Sequence, residues 1–150
     1  LLAEAVATLA ADGRTVLDVL DDLAIAHGVH QTAQWSARVA GSDAMEQLTA
    51  AMDRMRAAPP VELAGRKVVR VDDLIGGDAE RGFVPSDVLI WHLDGGRIVV
   101  RPSGTEPKLK AYVEVVEPVG SPDDLPDARS RAVTELEALV AATAAATGLG

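Results

Sequence analysis

One short stretch carries the side chains best suited to bind an anion: Arg101-Pro102-Ser103-Gly104-Thr105-Glu106-Pro107-Lys108. The guanidinium of Arg101 offers a planar pair of donors that matches phosphate oxygens, and the hydroxyls of Ser103 and Thr105 add donors beside it. Gly104 is expected to turn the backbone through positive φ, so that successive amide N–H groups point into one concavity. We therefore predict an anion-binding loop in which Lys108 adds charge at the rim.

The charge around this loop supports that interpretation. Residues 97–110 contain four basic residues and one acidic residue, a local charge of +3 in a chain whose formal net charge is −9. Positive charge concentrated in an acidic protein favours an anionic ligand. The alternative is an ordinary turn between strands, with its basic side chains solvated. The residues alone leave both interpretations open.

Composition excludes several other classes. The 23 carboxylates against 14 basic residues argue against general nucleic-acid binding, which requires a basic footprint. No apolar run is long enough to cross a bilayer, so we expect no membrane association and a cytoplasmic location. Leu1 is not an initiator Met and lies inside a helical pattern, which suggests a fragment. One main domain with a helical appendage fits the length of 150 residues.

We predict neither a metal site nor a catalytic residue. The chain has no Cys, and its histidines, His27, His30 and His92, lack a neighbouring carboxylate cluster. His92 alternates away from the core of its strand and is expected to be exposed. Asp72 and Asp73 are adjacent, so on a strand they would point to opposite faces, and we expect a turn or a helix cap there. No Ser–His–Asp spacing is apparent.

The loop is positioned by strands in a pattern typical of an α+β domain. The predicted sheet is antiparallel, with about four to five strands and helices on one face. Asp94-Gly95-Gly96 is a hairpin signal between strands at 88–93 and 97–101. Further strands are predicted at 32–39, 67–71 and 109–116, and helices at 2–11 and at 15–28, the second capped by Thr15. A third helix should begin after Asp43, with Glu46 at capping-box spacing and an apolar stripe of Met45, Leu48, Met52 and Met55. A fourth should begin at Pro126, with its inward face formed by Val133, Leu136, Leu139 and Val140.

The motif Arg-Pro-Ser-Gly-Thr-Glu-Pro-Lys, followed by Leu-Lys-Ala-Tyr-Val-Glu, resembles the phosphate-binding loop in the last domain of the α-D-phosphohexomutase superfamily. That superfamily includes phosphoglucomutases, phosphomannomutases and related phosphopentomutases. Weaker likenesses to the phosphoglucomutase and phosphopentomutase branch lie upstream, at Gly41-Ser42-Asp43, Gly65-Arg66-Lys67-Val68 and Pro85-Ser86-Asp87-Val88-Leu89. Together they cover most of residues 38–116.

The resemblance implies a TBP-like C-terminal domain at residues 31–150, preceded at 1–30 by the helical tail of another mutase domain and a hinge near residues 28–31. It implies phosphoryl transfer between the two ends of a phosphosugar through a bisphosphate, with Mg²⁺ bound by other domains. Arg101, Ser103, Gly104, Thr105 and Lys108 would bind the substrate phosphate. The partners would be a hexose or pentose phosphate and the remaining domains of the same chain, and sugar identity is not expected to be encoded here.

Two other classes of function are compatible with the residues. One is a free-standing phosphate-binding module, which would have polar faces on its first two helices. The other is a structural interaction domain whose basic loop binds a partner's carboxylates. In that case, replacement of Arg101 would disturb assembly without changing phosphate affinity.

Overall fold

The computed structural model describes residues 1–149. Its helices are α1 (Leu2–Ala11), α2 (Val16–His27), α3 (Ala44–Ala57) and α4 (Leu125–Thr147), with a 3-10 turn at Pro122–Asp124. Its strands are β1 (Val29–Arg38), β2 (Glu62–Leu63), β3 (Arg66–Asp73), β4 (Leu89–Leu93), β5 (Gly96–Pro102) and β6 (Lys108–Glu117). The predicted α+β class is confirmed.

The strands form one antiparallel sheet in the order β1-β6-β5-β4-β3-β2. Six strands exceed the predicted four to five because β2, only two residues long, adds to the edge beside β3. The predicted hairpin is confirmed: β4 and β5 are joined at Asp94 and Gly95, and Gly95 has a φ of 71°. Glycine adopts that left-handed conformation without the strain of a Cβ atom.

Helices α3 and α4 cover one face of the sheet and enclose the core. The fully buried strand residues alternate along the chain, as a sheet with one covered face requires. They include Leu89, Trp91, Ile98, Val100, Leu109 and Val113. From α3 the core receives Leu48, Met52 and Met55, as the predicted stripe indicates. Met45 is the exception, because its side chain is 57% exposed at the start of the helix.

Helix α4 packs through smaller residues than predicted. Val133, expected to point inward, is 45% exposed, whereas Ala128 and Ala132 are fully buried. Leu139 is buried as expected. Leu136 and Val140, also expected to point inward, are partly buried and pack against the core. Small side chains let the first half of the helix approach β1 closely, so only that half departs from the predicted pattern.

Helix α2 leads directly into β1. Thr15 caps α2 as predicted, in a capping box with Asp18. Strand β1 begins at Val29, earlier than expected, so most of the nominated hinge at 28–31 lies in a paired strand. Neither α1 nor α2 contains a buried residue. None of the helices in residues 1–149 is long and apolar enough to span a membrane.

Candidate functional site

The predicted anion-binding loop connects β5 to β6 at one end of the sheet. Its base is closed by a hydrogen bond from the backbone N–H of Ser103 to the carbonyl of Lys108, at 2.8 Å. The N–H of Val39, just after β1, donates to the carbonyl of Pro107 at 2.9 Å. Three neighbouring strands therefore hold the loop, which limits the ordering required when a ligand binds.

Glu106 binds two of the basic side chains. Its carboxylate lies 2.8 Å from Nζ of Lys108 and 2.6 Å from a guanidinium nitrogen of Arg38. The hydrogen bond and charge of Lys108, together with Arg38, hold the pKa of Glu106 below its ordinary value. Lys108 is thus already paired, and its ammonium contributes to an anion site only by sharing.

Arg101 and Lys110 are the basic residues near the loop that lack such a partner. They lie directly opposite each other on β5 and β6, on the sheet face that the helices leave open. Within residues 1–149 neither forms a salt bridge, and the only side-chain hydrogen bond of Arg101 is a long one, 3.5 Å, to the carbonyl of Pro102. Like charges opposite each other on a sheet repel, and an anion between them would relieve that repulsion.

The remaining predicted residues are accessible in different degrees. Ser103 is 8% exposed, whereas Gly104 and Thr105 are exposed. The predicted positive φ of Gly104 is wrong, because this residue is not among those with a positive φ. A Cβ atom at Gly104 would meet nothing within 4 Å. The bends of the loop lie at residues 104–107, so Gly104 takes part in the turn without a left-handed conformation and leaves open space for a ligand.

Two clefts flank the loop and share Ser103 and Gly104. The first, the helix-side cleft, has a volume of about 310 Å³ and lies between the loop and the start of α3. The second, the arginine cleft, has a volume of about 360 Å³ and lies between residues 101–104 and residues 86–88. Helix N-termini carry partial positive charge, so the start of α3 adds to the field at the first cleft.

Several residues at these clefts were not part of the predicted site. Gly41, Ser42 and Met45 line the helix-side cleft, and Ser86 and Asp87 line the arginine cleft. Most of them lie in the short upstream motifs that carried the resemblance. Lys110 was noted only for its charge. The proximity of these segments depends on the sheet and on α3, which composition does not reveal.

Arg56 of α3 holds one wall of the arginine cleft in place. Its side chain is 18% exposed and contacts three carboxylates: Asp87, Asp73 at 3.1 Å and Asp53 at 3.3 Å. Burial disfavours the charge of Arg56, but the hydrogen bonds and charges of Asp87 and Asp73 outweigh it and raise the pKa. The ion pairs therefore tie residues 86–88 to α3.

A polar cluster around Asp72 corrects two expectations, namely that His92 is exposed and that Asp72 lies in a turn or a helix cap. His92 is half-buried, and its Nε2 lies 2.9 Å from Asp72, which also pairs with Arg81 at 3.0 Å. Asp72 belongs to β3, whereas Asp73, at the end of β3, accepts a hydrogen bond from the N–H of Ile75. No group of three potential metal-ligating side chains occurs within residues 1–149.

Comparison with known proteins identifies the family. Residues 36–120 match the family described as phosphoglucomutase/phosphomannomutase, C-terminal domain. The chain belongs to this family. The matched region contains the predicted anion-binding loop, both clefts and strands β2 to β6 in full. The resemblance inferred from the loop motif is thereby confirmed.

Two relatives are several times longer than this chain. A probable phosphomannomutase of Haemophilus influenzae is 37% identical over 110 residues, which cover 73% of this chain and 21% of the relative. A phosphoglucomutase of Staphylococcus aureus (strain USA300) is 30% identical over 112 residues, which cover 69% of this chain and 20% of the relative. The chain thus spans about a fifth of the length of these relatives.

Proposed function

We propose that this chain is the substrate-phosphate-binding domain of a phosphosugar mutase. Such an enzyme interconverts a sugar 1-phosphate and a sugar 6- or 5-phosphate through a bisphosphate intermediate. The observation that carries the proposal is the pair Arg101 and Lys110, which lie opposite each other without carboxylate partners within residues 1–149, at the loop contained in the family match. The names of the relatives support the reaction class.

The role of this chain would be positioning rather than bond making. Arg101 would bind two phosphate oxygens, Ser103 and Thr105 would donate hydroxyl hydrogen bonds, and the open space at Gly104 would admit the phosphate close to the backbone. Lys108 would add charge from the rim while bonded to Glu106. Fixing one phosphate of the sugar directs its other end towards the reacting groups, which reduces the entropic cost of the reaction.

The proposal extends to parts of a longer enzyme. We assign residues 1–30 to the helical tail of a preceding mutase domain, because α1 and α2 bury no residue while Leu2, Leu17, Leu20 and Leu23 remain substantially exposed. The hinge is then placed at Gly28, which has a φ of 91° and immediately precedes the paired part of β1. Mg²⁺ would be bound by another domain and would stabilise charge on the transferred phosphoryl group.

The test is an NMR titration of the chain with glucose 1-phosphate, inorganic phosphate and unphosphorylated glucose. We expect saturable shifts at residues 101–108 with both phosphates and none with glucose, at a dissociation constant on the order of millimolar because one end of the ligand is held. Arg101→Ala should abolish these shifts, whereas Lys67→Ala, an exposed lysine on β3, should retain them. Binding that survives Arg101→Ala would contradict the proposal.

A further inference from the structure

A carboxylate lies in the wall of the arginine cleft, beside the loop proposed to bind phosphate. Ser86, Asp87 and Val88 form one side of this cleft, and residues 101–104 form the other. The side chain of Asp87 is 40% exposed. A carboxylate beside an anion weakens the binding of that anion, because like charges repel. A cleft that bound only inorganic phosphate would therefore be better without Asp87.

The structure holds Asp87 in this position. Its Oδ1 accepts a hydrogen bond from the guanidinium of Arg56, which is itself fixed by Asp73 and Asp53. Within residues 1–149, the second oxygen, Oδ2, accepts no hydrogen bond. The neighbouring Ser86 donates its hydroxyl to the carbonyl of Val84 at 3.1 Å, so that hydroxyl does not satisfy Asp87. Asp87 is thus an oriented carboxylate with one oxygen available.

The ligand that fits this arrangement carries hydroxyl groups close to its phosphate. Hydroxyls donate strong hydrogen bonds to a carboxylate, and a ligand that supplies them compensates the repulsion that the phosphate alone would meet. We propose that Asp87 is a specificity residue, whose Oδ2 accepts hydrogen bonds from sugar hydroxyls while the loop holds the sugar phosphate. This inference rests on the proposed function and deepens it.

The inference also changes the expectation that the domain is indifferent to the sugar. The cleft would select hydroxyl-bearing phosphate esters against esters without hydroxyls, both by a favourable contact and by repulsion of the competitor. A carboxylate oxygen accepts from any hydroxyl that reaches it. Asp87 is therefore compatible with a sugar that presents either of its two phosphorylated ends to the loop.

The experiment compares glucose 1-phosphate with methyl phosphate, which carries the ester phosphate without the sugar hydroxyls. Both are titrated by NMR into the unaltered chain, into Asp87→Asn and into Asp53→Asn, at matched ionic strength. We expect the unaltered chain to bind glucose 1-phosphate about tenfold more tightly than methyl phosphate, on the scale of one charge-assisted hydrogen bond. Asp87→Asn should lose most of this preference and bind methyl phosphate at least as tightly as before.

Asp53→Asn is the matched control, because Asp53 also pairs with Arg56 but does not line the cleft. It should keep the preference. Equal binding of the two ligands by the unaltered chain, or a preference that survives in Asp87→Asn, would overturn the role of Asp87 and leave the phosphate loop standing. No shifts at residues 101–108 with either ligand would overturn the proposed function as well. Because the first comparison needs no variant, equal binding by the unaltered chain would overturn the role of Asp87 even if Asp87→Asn does not fold.

Discussion

Replacement of Lys110 by Gln should stabilise the free domain and reduce its stabilisation by phosphate. Lys110 lies directly opposite Arg101, and neither side chain has a carboxylate partner within residues 1–149. A cross-strand pair of like charges costs about 0.2–1 kcal/mol of folding free energy. Removing one charge therefore recovers about that amount when no anion is present. The same change removes one of the cations that would hold the phosphate.

The expected shifts in melting temperature can be worked out from this geometry. At a phosphate concentration ten times the dissociation constant, binding stabilises the folded state by about 1.4 kcal/mol. For a domain of this size, that corresponds to a rise of about 3–6 °C. Loss of one charge-assisted contact weakens binding about tenfold, which leaves about 0.4 kcal/mol, or roughly 1 °C, at the same concentration. The ligand-free variant should itself melt about 0.4–4 °C higher.

Scanning calorimetry in sodium phosphate and in sodium chloride of equal ionic strength measures both quantities. Lys67→Gln is the matched control, because Lys67 is exposed on β3 and also forms no salt bridge within residues 1–149. It should leave the phosphate-induced rise unchanged. A Lys110→Gln variant that melts lower than the unaltered chain in chloride, or that keeps the full rise in phosphate, would refute the reasoning.

Two further predictions concern stability. Gly96→Ala should destabilise the chain by about 1–3 kcal/mol in urea titrations, because the added Cβ would lie 2.4 Å from the carbonyl oxygen of Glu114; Gly76→Ala, where nothing lies within 4 Å, should be within about 0.5 kcal/mol of the unaltered chain. Burial raises the pKa of Asp72, but hydrogen bonds from His92 and a neighbouring arginine outweigh it and hold the pKa below its ordinary value. Stability from this group is present above the unfolded value of about 3.9 and is lost as the pH falls through the lower folded value. Asp72→Asn should therefore make the free energy of unfolding depend less steeply on pH in that range. An unchanged pH dependence would contradict this prediction.

The parts of the fold that sequence predicted best are those in which neighbouring residues cooperate. Alternation along β4, β5 and β6 and the turn at Gly95 depend on local geometry, so the hairpin and its buried face followed directly. The buried face in the first half of α4 did not follow, because Ala128 and Ala132 are weak signals in a hydrophobic pattern and owe their burial to close approach of β1. Strand β2 is too short to produce a pattern of its own.

The candidate site was predictable only in its local component. The loop from Arg101 to Lys108 was identified by residue type and by resemblance, whereas the walls of its clefts come from segments distant in sequence. Asp87 and Met45 reach the loop through the packing of α3 against the sheet, and no spacing rule connects them to it. The predicted conformation of Gly104 was also wrong, because glycine is suited both to a left-handed turn and to an open surface, and sequence does not distinguish the two.

The pairing of β1 with β6 has a consequence for how the protein folds. The ten paired positions join residues 29–38 to residues 108–117, so the partners are 70 to 88 residues apart in sequence. Loop closure over that length is slow compared with formation of the local hairpins β4–β5 and β5–β6. We therefore expect the loop between β5 and β6 to take shape early, and its anchor at Val39 and its salt bridge to Arg38 to form when β1 pairs. The end of the sheet that carries the predicted anion-binding loop would then be completed only when β1 pairs with β6.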